Sequence, residues 1–380
     1  MRRKSTLAAA LSLLVLLAVL SSVPFFTEAK ASTGAACSAQ SMITLENSTN
    51  RVLYEHNADK KLPMASTTKI VTAITVIDAC DDLEKIVEVP DAAVGVEGSS
   101  VYLERGEKVK IIDLLHGLML QSGNDCAAAL AIVTAGSLEK FARMMNAKAA
   151  EAGAVNSNFV TPHGLHDDNH YTTARDLALI TSYAMKNPVF RRIVSTKRYT
   201  MPWQGRDYDR VLLNKNKLLH TFDGCDGVKT GYTKKAGRCL VSSAERDGMR
   251  VIAVVLNDGP MFEDCAALME KAFSEYRLVG VGPGEGVCAR IPVTGGKSSE
   301  VGAAAGETFF YPMTDGEAQR VQARLFPLSG LCAPVEKGTE AGKFSVTLDN
   351  QLLFTGKLYT INSVGGLDVW DYSRKLIGSW

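Results

Sequence analysis

The sequence predicts an α/β or α+β domain followed by a small all-β domain. Three observations carry that reading. Two short strands open the chain's folded part, a long helical stretch separates them from a second group of strands, and a glycine-rich boundary then gives way to alternating segments. Strands at both ends of a helical block imply one sheet that unites them.

In order along the chain, residues 42–45 and 52–54 read as strands joined by a polar turn at 46–50. Pro63 precedes a helix whose apolar face is Ile70, Val71, Ile74 and Ile77. Further helices are expected at residues 111–120, 125–134, 137–152 and 173–185, the last ended by Asn187-Pro188. Gly227-Val228-Lys229 and Cys239-Leu240-Val241-Ser242 read as strands around a turn at 231–237. Residues 251–256 suit a buried strand, and 262–276 a helix. The stretch 280–286 holds four glycines and Pro283, and marks a boundary. Beyond it, alternating segments at 287–293, 307–311, 322–325, 344–348 and 351–361, with Asp349-Asn350 as a turn, read as a small β domain of about 85 residues.

The 380 residues carry 42 basic and 41 acidic side chains, a formal net charge of +1, so no electrostatic case for a nucleic-acid partner exists. The amino terminus has the layout of an export signal. Arg2, Arg3 and Lys4 precede an uncharged apolar stretch, then Pro24 and Ala29-Lys30-Ala31, with cleavage expected after Ala31. An uncleaved membrane anchor is the alternative, and either places the remainder outside the cytoplasm. The expected organisation is therefore a signal at 1–31, a main domain at 32–279, the β domain at 280–365 and a tail at 366–380. Eight cysteines follow the signal without a C-x-x-C pair, so no zinc pattern is present. Cys126 reads as a small buried hydrophobe, and Cys225 with Cys239 is the pair to test as a disulfide.

Three short motifs carry chemistry. Ser-x-x-Lys occurs at Ser66-Thr67-Thr68-Lys69 and again at Ser137-Leu138-Glu139-Lys140, where helix capping explains it. At the first, positions i and i+3 share a helix face, so the Lys69 amine can reach the Ser66 hydroxyl and, if neutral, take its proton. Ser-x-Asn occurs at Ser48-Thr49-Asn50, a turn composition, and at Ser122-Gly123-Asn124 between two helices. Lys-Thr-Gly occurs once, at Lys229-Thr230-Gly231 on a strand. Each has a structural explanation when taken alone. In this order they form the motif set of penicillin-recognising serine enzymes. Ser66 is then the nucleophile, Lys69 and Lys229 depress each other's proton affinity, and Ser122 relays a proton to the leaving amine. Asn124 holds the substrate amide, and Thr230 meets a terminal carboxylate. The amides of Ser66 and Tyr232 form the oxyanion hole.

The stretches Pro63-Met-Ala-Ser-Thr-Thr-Lys69, Gln121-Ser-Gly-Asn-Asp125, Pro162-His-Gly-Leu-His166 and Asp226-Gly-Val-Lys-Thr-Gly-Tyr-Thr233 resemble the serine-type D-alanyl-D-alanine carboxypeptidases, the low-molecular-mass penicillin-binding proteins. The resemblance covers residues 36–276. It implies a penicillin-binding, β-lactamase-like transpeptidase fold followed by the all-β domain. It also implies removal of the terminal D-alanine from peptidoglycan pentapeptides through an acyl-enzyme at Ser66, and acylation of that serine by β-lactams. Lys229, Thr230, Gly231, Tyr232 and Asn124 are then substrate-binding residues, and no metal or organic cofactor is implied.

Two rival readings follow. A class A β-lactamase needs a Glu between the second and third motifs to activate the deacylating water, and residues 155–228 contain none. Gly123 also replaces the Asp usual at that position. A non-catalytic peptidoglycan-binding protein would be expected to have lost Ser66, Lys69 or Lys229. One departure from the family is Asn257-Asp258-Gly259-Pro260, where some relatives carry a basic residue, so another cation is required for the substrate carboxylate. His163, His166 and His170, with Asp167 and Asp168, match no helical zinc spacing and read as loop structure. In the tail, Leu367, Trp370, Ile377 and Trp380 fall at near-helical intervals, which raises a peripheral membrane contact against a frayed end.

Overall fold

The computed structural model describes residues 37–371 and 373, apart from 285, and these belong to one compact unit. The expected signal at 1–31 and the tail residues Ile377 and Trp380 lie outside the described residues.

Strands β1 (Ser41–Glu46) and β2 (Val52–His56) form an antiparallel hairpin. The Glu46 carboxylate accepts the Ser48 and Thr49 amides at 2.8 and 2.9 Å, so the first Ser-x-Asn is a turn, as expected. A 3-10 turn, Ala65–Thr68, leads into α1 (Lys69–Ala79). Every residue from Lys69 to Ile77 is buried, so the anticipated apolar face is a helix enclosed on all sides. A small hairpin of β3 (Ile86–Glu88) and β4 (Lys108–Lys110) precedes α2 (Ile111–His116), which widens into a π turn at Gly117–Gln121. Next come α3 (Asn124–Ala135) and α4 (Leu138–Glu151). The Ser137 hydroxyl accepts the Lys140 amide at 3.1 Å, which makes the second Ser-x-x-Lys a helix cap.

The helix α5 (Ala174–Met185) ends where expected, but Asn187-Pro188 also begins a helix that was not anticipated, α6 (Pro188–Ser195). Asn187 Oδ1 accepts the Val189 amide at 2.9 Å, and Pro188 occupies the first helical position, where a missing N–H is harmless. Eight residues are too few to declare a helical period. The strands of the hairpin β5 (Arg198–Met201) and β6 (Arg210–Leu213) have four residues each, too few to show an alternating period. The chain closes the domain with β7 (Cys225–Thr233), β8 (Gly237–Arg246), β9 (Met249–Leu256) and α7 (Met261–Glu275). Gly231, expected in the turn, lies within β7.

One antiparallel sheet of order β2-β1-β9-β8-β7 unites both ends of the domain. Its strands are covered on both faces. Ile252, Val254 and Leu256 enter the large core around α1, whereas Val251, Ala253 and Val255 face the core built with α7. Cys225 pairs across with Ala244 and Cys239 with Gly231. That offset of five residues on β8 is about 17 Å along the strands, far beyond disulfide reach. The suggested Cys225–Cys239 pair is therefore wrong, and all eight cysteines are free.

Beyond α7, β10 (Arg277–Val281) runs through Gly280 and pairs with a strand of the next region. There follow β11 (Ala289–Thr294), β12 (Glu300–Ala305), β13 (Phe309–Met313), β14 (Val321–Pro327), β15 (Leu331–Cys332), β16 (Glu340–Leu348) and β17 (Gln351–Thr360). They form a six-stranded sheet, β14-β16-β17-β12-β11-β15, and the β10–β13 pair, around a separate core. Asp349 and Asn350 take positive φ in the β16–β17 turn, as a tight hairpin requires. Of the strands not anticipated, β12 is rich in Gly and Ala, and β15 spans two residues. Asp368 and Asp371 accept one another's amides at the start of the tail, and Lys297 pairs with both.

The core built with α7 and the separate core beyond it are joined through Arg51. Its guanidinium donates to the Pro312 carbonyl and to Glu317, and lies over the rings of Tyr276 and Tyr311 at 5.3 and 5.0 Å. Because this pair is largely buried, Arg51→Ala should cost about 3 kcal/mol by leaving Glu317 uncompensated. Urea unfolding checks this, and adding Glu317→Gln should recover part of the loss.

Candidate active site

The 3-10 turn that carries Ser66 begins with an unusual backbone. Ala65 has φ of +50°, a left-handed conformation that costs a non-glycine residue about 1–3 kcal/mol. The turn is tied down by Thr67 and Thr68, whose hydroxyls donate to the Met64 and Ala65 carbonyls at 2.7 and 2.8 Å. Gly164, at φ +86°, packs so closely here that a Cβ would sit 2.0 Å from the Ala65 oxygen. His170 adds Nε2 at 2.8 Å from the Thr68 hydroxyl, while its Nδ1 accepts the Val160 amide at 3.0 Å. Both its ring nitrogens are engaged within the loop. The result is a half-buried Ser66 hydroxyl aimed at Lys69, not a helix cap.

Lys69 is completely buried. Its Nζ lies 2.9 Å from Ser66 Oγ and donates to Asn124 Oδ1 and to the His163 carbonyl, both at 2.7 Å. A neutral amine has two N–H donors and one lone pair. Two carbonyl acceptors at 2.7 Å take the donors, which leaves the lone pair for the serine proton. Burial, then the charge of Lys229, lowers the Lys69 proton affinity well below that of a free lysine.

Asn124, on the first turn of α3, is held from the far side. Its Nδ2 donates to the Glu97 carbonyl at 2.5 Å, and its amide to the Ser99 carbonyl at 2.7 Å. The neighbouring Asp125 carboxylate accepts the Ser100 hydroxyl at 2.6 Å and the Val101 and Leu103 amides at 3.0 and 3.2 Å. This pins the 97–103 loop against the second motif. A Cβ on Gly123 would fall 2.7 Å from Asp125 Oδ1, which explains the glycine there. Ser122 is buried at φ +65°, where the π turn hands over to α3.

The third motif lies on β7, the edge strand of the sheet. Gly231 faces the turn that carries Ser66, and a Cβ would meet Met64 O at 2.9 Å and the amides of Ser66 and Thr67 at 3.1 Å. Only glycine lets strand and turn approach this closely. Lys229 is buried and donates to the Thr230 carbonyl at 3.0 Å. Burial, followed by the charge of Lys215, lowers it to about 7. The expected mutual depression of the two lysines is one-sided. The charge of Lys229 lowers Lys69, whereas Lys229 is lowered by its own burial and by Lys215. Thr230 is half-buried beside Lys229, and Tyr232 is exposed.

The structure thus joins Ser66, Lys69 and Asn124 by direct contacts, and Gly231 and Lys229 by packing and charge. Sequence reasoning missed Asp125, His170, the His163 carbonyl and Lys215. Asp125 follows the Ser122-Gly123-Asn124 motif with no task evident from the sequence. Lys215, which donates to Ser99 Oγ at 3.3 Å, is the cation placed near Lys229, and no local pattern marked it.

Family models match two segments: D-alanyl-D-alanine carboxypeptidase (Peptidase_S11) over residues 27–259, and the penicillin-binding protein 5 C-terminal domain over 283–365. The chain is 30% identical over 350 residues to D-alanyl-D-alanine carboxypeptidase DacF of Bacillus subtilis, covering 90% of each. It is 32% identical over 364 residues to DacC of Escherichia coli, covering 90% of this chain and 89% of that one. Penicillin binding protein 5 of Haemophilus influenzae superposes with a TM-score of 0.72 at 28% identity, covering 88% of this chain and 100% of that one.

Burial holds His163 and His170 at about 4, well below a free histidine, with Lys69 adding for His163. The unfolded chain therefore binds more protons between pH 6.5 and 4. Stability present above pH 6.5 should be lost as pH falls through that window, by up to about 3 kcal/mol per histidine. Urea midpoints from pH 7 to 4.5 should fall less steeply in His170→Asn than in the parent.

Proposed function

The chain belongs to the D-alanyl-D-alanine carboxypeptidase family of serine peptidases, and on that premise we propose which residues perform the reaction and on what. The substrate is a peptidoglycan pentapeptide ending in D-alanyl-D-alanine. Ser66 Oγ attacks the carbonyl of the penultimate D-alanine while its proton passes to neutral Lys69. The developing oxyanion is held by the amides of Ser66 and Tyr232. Collapse breaks the peptide C–N bond, and the proton reaches the leaving nitrogen through the Ser122 hydroxyl. D-Alanine departs and leaves an ester on Ser66. Water then attacks the ester, and the same proton path runs in reverse to restore the Ser66 hydroxyl.

The single observation that carries this assignment is the bonding of Lys69, whose two carbonyl acceptors leave its lone pair to Ser66. Asn124 holds Lys69 and the substrate amide. Thr230, protonated Lys229 and Lys215 receive the terminal carboxylate, and Lys215 supplies the cation that Asn257-Asp258 does not. Gly231 allows the strand edge to lie against the turn. β-Lactams acylate the same serine. The β-lactamase reading lacks its deacylating Glu, and Gly123 sits where Asp125 leaves no room for a side chain.

Family members act on peptidoglycan, outside the cytoplasm, and no helix among the described residues is long and apolar enough to cross a membrane. We assign residues 1–31 to a removed signal, 32–279 to the catalytic domain, 280–365 to the β domain, and 366–380 to a tail that can touch the membrane surface.

Two measurements test the reading. D-Alanine release from a pentapeptide, together with labelling by a fluorescent penicillin, should be present in the parent. Both should fall at least 1,000-fold in Ser66→Ala. Equal labelling of the two would overturn the nucleophile, and labelling without D-alanine release would favour the β-lactamase or binding readings. The pH profile tests Lys229. Below about 7 the free enzyme carries the ammonium and above it does not. Hence kcat/KM should fall as pH rises through that value, while kcat, which reports the complex with its carboxylate in place, should hold to higher pH. Flat kcat/KM between pH 6.5 and 9 would remove Lys229 from carboxylate recognition.

A further inference from the structure

A second cluster lies at the opposite side of β8 from the Lys229 strand. Cys37 precedes β1, Asp258 follows β9, and Asp264 sits in the first turn of α7. The Cys37 sulfur and one oxygen from each carboxylate all lie within 4.8 Å of one another. Asp258 is only 1% exposed. Its Oδ1 accepts the Ser38 hydroxyl at 2.6 Å, but its Oδ2 is buried without any hydrogen-bond partner. Asp264 accepts the Ser38 amide at 2.7 Å, and its Oδ2 lies 3.2 Å from the Ser38 hydroxyl. The charges that bear on Asp258 are those of Asp264 and Glu263, both acidic, and the Asp264 carboxyl lies within hydrogen-bond reach of it, so among the described residues no donor or cation meets the bare oxygen. A fully buried carboxylate with a bare oxygen, beside a second carboxylate and a thiol, lacks its counter-charge.

We propose that Cys37, Asp258 and Asp264 bind a divalent metal ion of the zinc class, with water in the fourth position. Tetrahedral zinc, at about 2.0–2.3 Å from each donor, needs donors about 3.3–3.8 Å apart. Small side-chain adjustments within the observed cluster reach that spacing. A thiolate in the set selects zinc or cobalt over magnesium and calcium. Binding releases the Cys37 proton to solvent and forms a metal–sulfur bond, with no change of oxidation state. The bare Asp258 oxygen gains its partner, and Ser38 orients both carboxylates from behind. The site ties the entry to β1 to the exit of β9 and the start of α7, segments more than 200 residues apart in sequence. It lies two strands from β7 in the sheet order, so its role is structural and not catalytic.

Cobalt(II) added to the metal-free full-length protein should give a one-to-one thiolate-to-cobalt charge-transfer band, reversed by zinc. Cys37→Ser and Asp258→Asn should each abolish the band, and Ser38→Ala should weaken affinity about tenfold. Cys332→Ser, at an exposed cysteine, should keep it. Zinc should raise the melting temperature of the parent and of Cys332→Ser but not of Asp258→Asn, with penicillin labelling of Ser66 retained throughout. Absence of a band in the parent, or its survival in Cys37→Ser, overturns the site. So does an Asp258→Asn protein that melts higher than the parent and whose parent ignores zinc, since the two carboxyls would then simply share a proton.

Discussion

A lysine amine buried without solvent is the constraint around which the catalytic half of this protein is arranged. Charged, it would bear several kcal/mol of desolvation cost, so the fold favours its neutral form. That form then needs two acceptors for its N–H groups, and they come from different parts of the chain: Asn124 on α3, and the His163 carbonyl in the loop before α5. Ser66, one helical turn away, takes the remaining position. Three segments spread over about a hundred residues of sequence thus converge on one nitrogen, and the reactivity proposed for Ser66 comes from that convergence.

The backbone is adapted to hold them there. Left-handed residues at Ala65 and Ser122 mark the two motifs that must present a serine, and each is braced by its surroundings. Gly164 and Gly231 bring a loop and a strand edge against the same 3-10 turn at distances where any Cβ would collide. Asp125 performs the corresponding task for the second motif by gathering the amides of the 97–103 loop. Behind this, the sheet buried on both faces gives β7 a rigid edge, and Arg51 fixes the β domain to the sheet's opposite end by stacking on two tyrosines.

Much of this was legible in the sequence, and for identifiable reasons. The helices α1 to α5 and the strands β1, β2 and β7 to β9 have long enough apolar patterns to declare themselves. The i, i+3 spacing of Ser66 and Lys69 follows from helix geometry, and the Ser137 motif was separable as a cap because it follows a glycine at a helix start. Short elements such as α6, β5 and β15 were not legible, because too few residues show a period. The suggested Cys225–Cys239 link failed because strand register, which decides distance across a sheet, is not written in either strand alone.

The sequence by itself determined the reaction class, since three motifs in order specify the side chains that acyl transfer requires, and local rules place each on its turn, loop or strand. Only the tertiary structure decided how those side chains are tuned. Burial sets the proton affinities of Lys69 and Lys229. Lys215, Asp125 and the His163 carbonyl enter the site through long-range packing, and the Cys37–Asp258–Asp264 cluster exists only because the start of β1 and the end of β9, distant in sequence, are neighbours in the sheet. Proton affinity and long-range proximity depend on what surrounds a group in space, and no linear pattern carries that information.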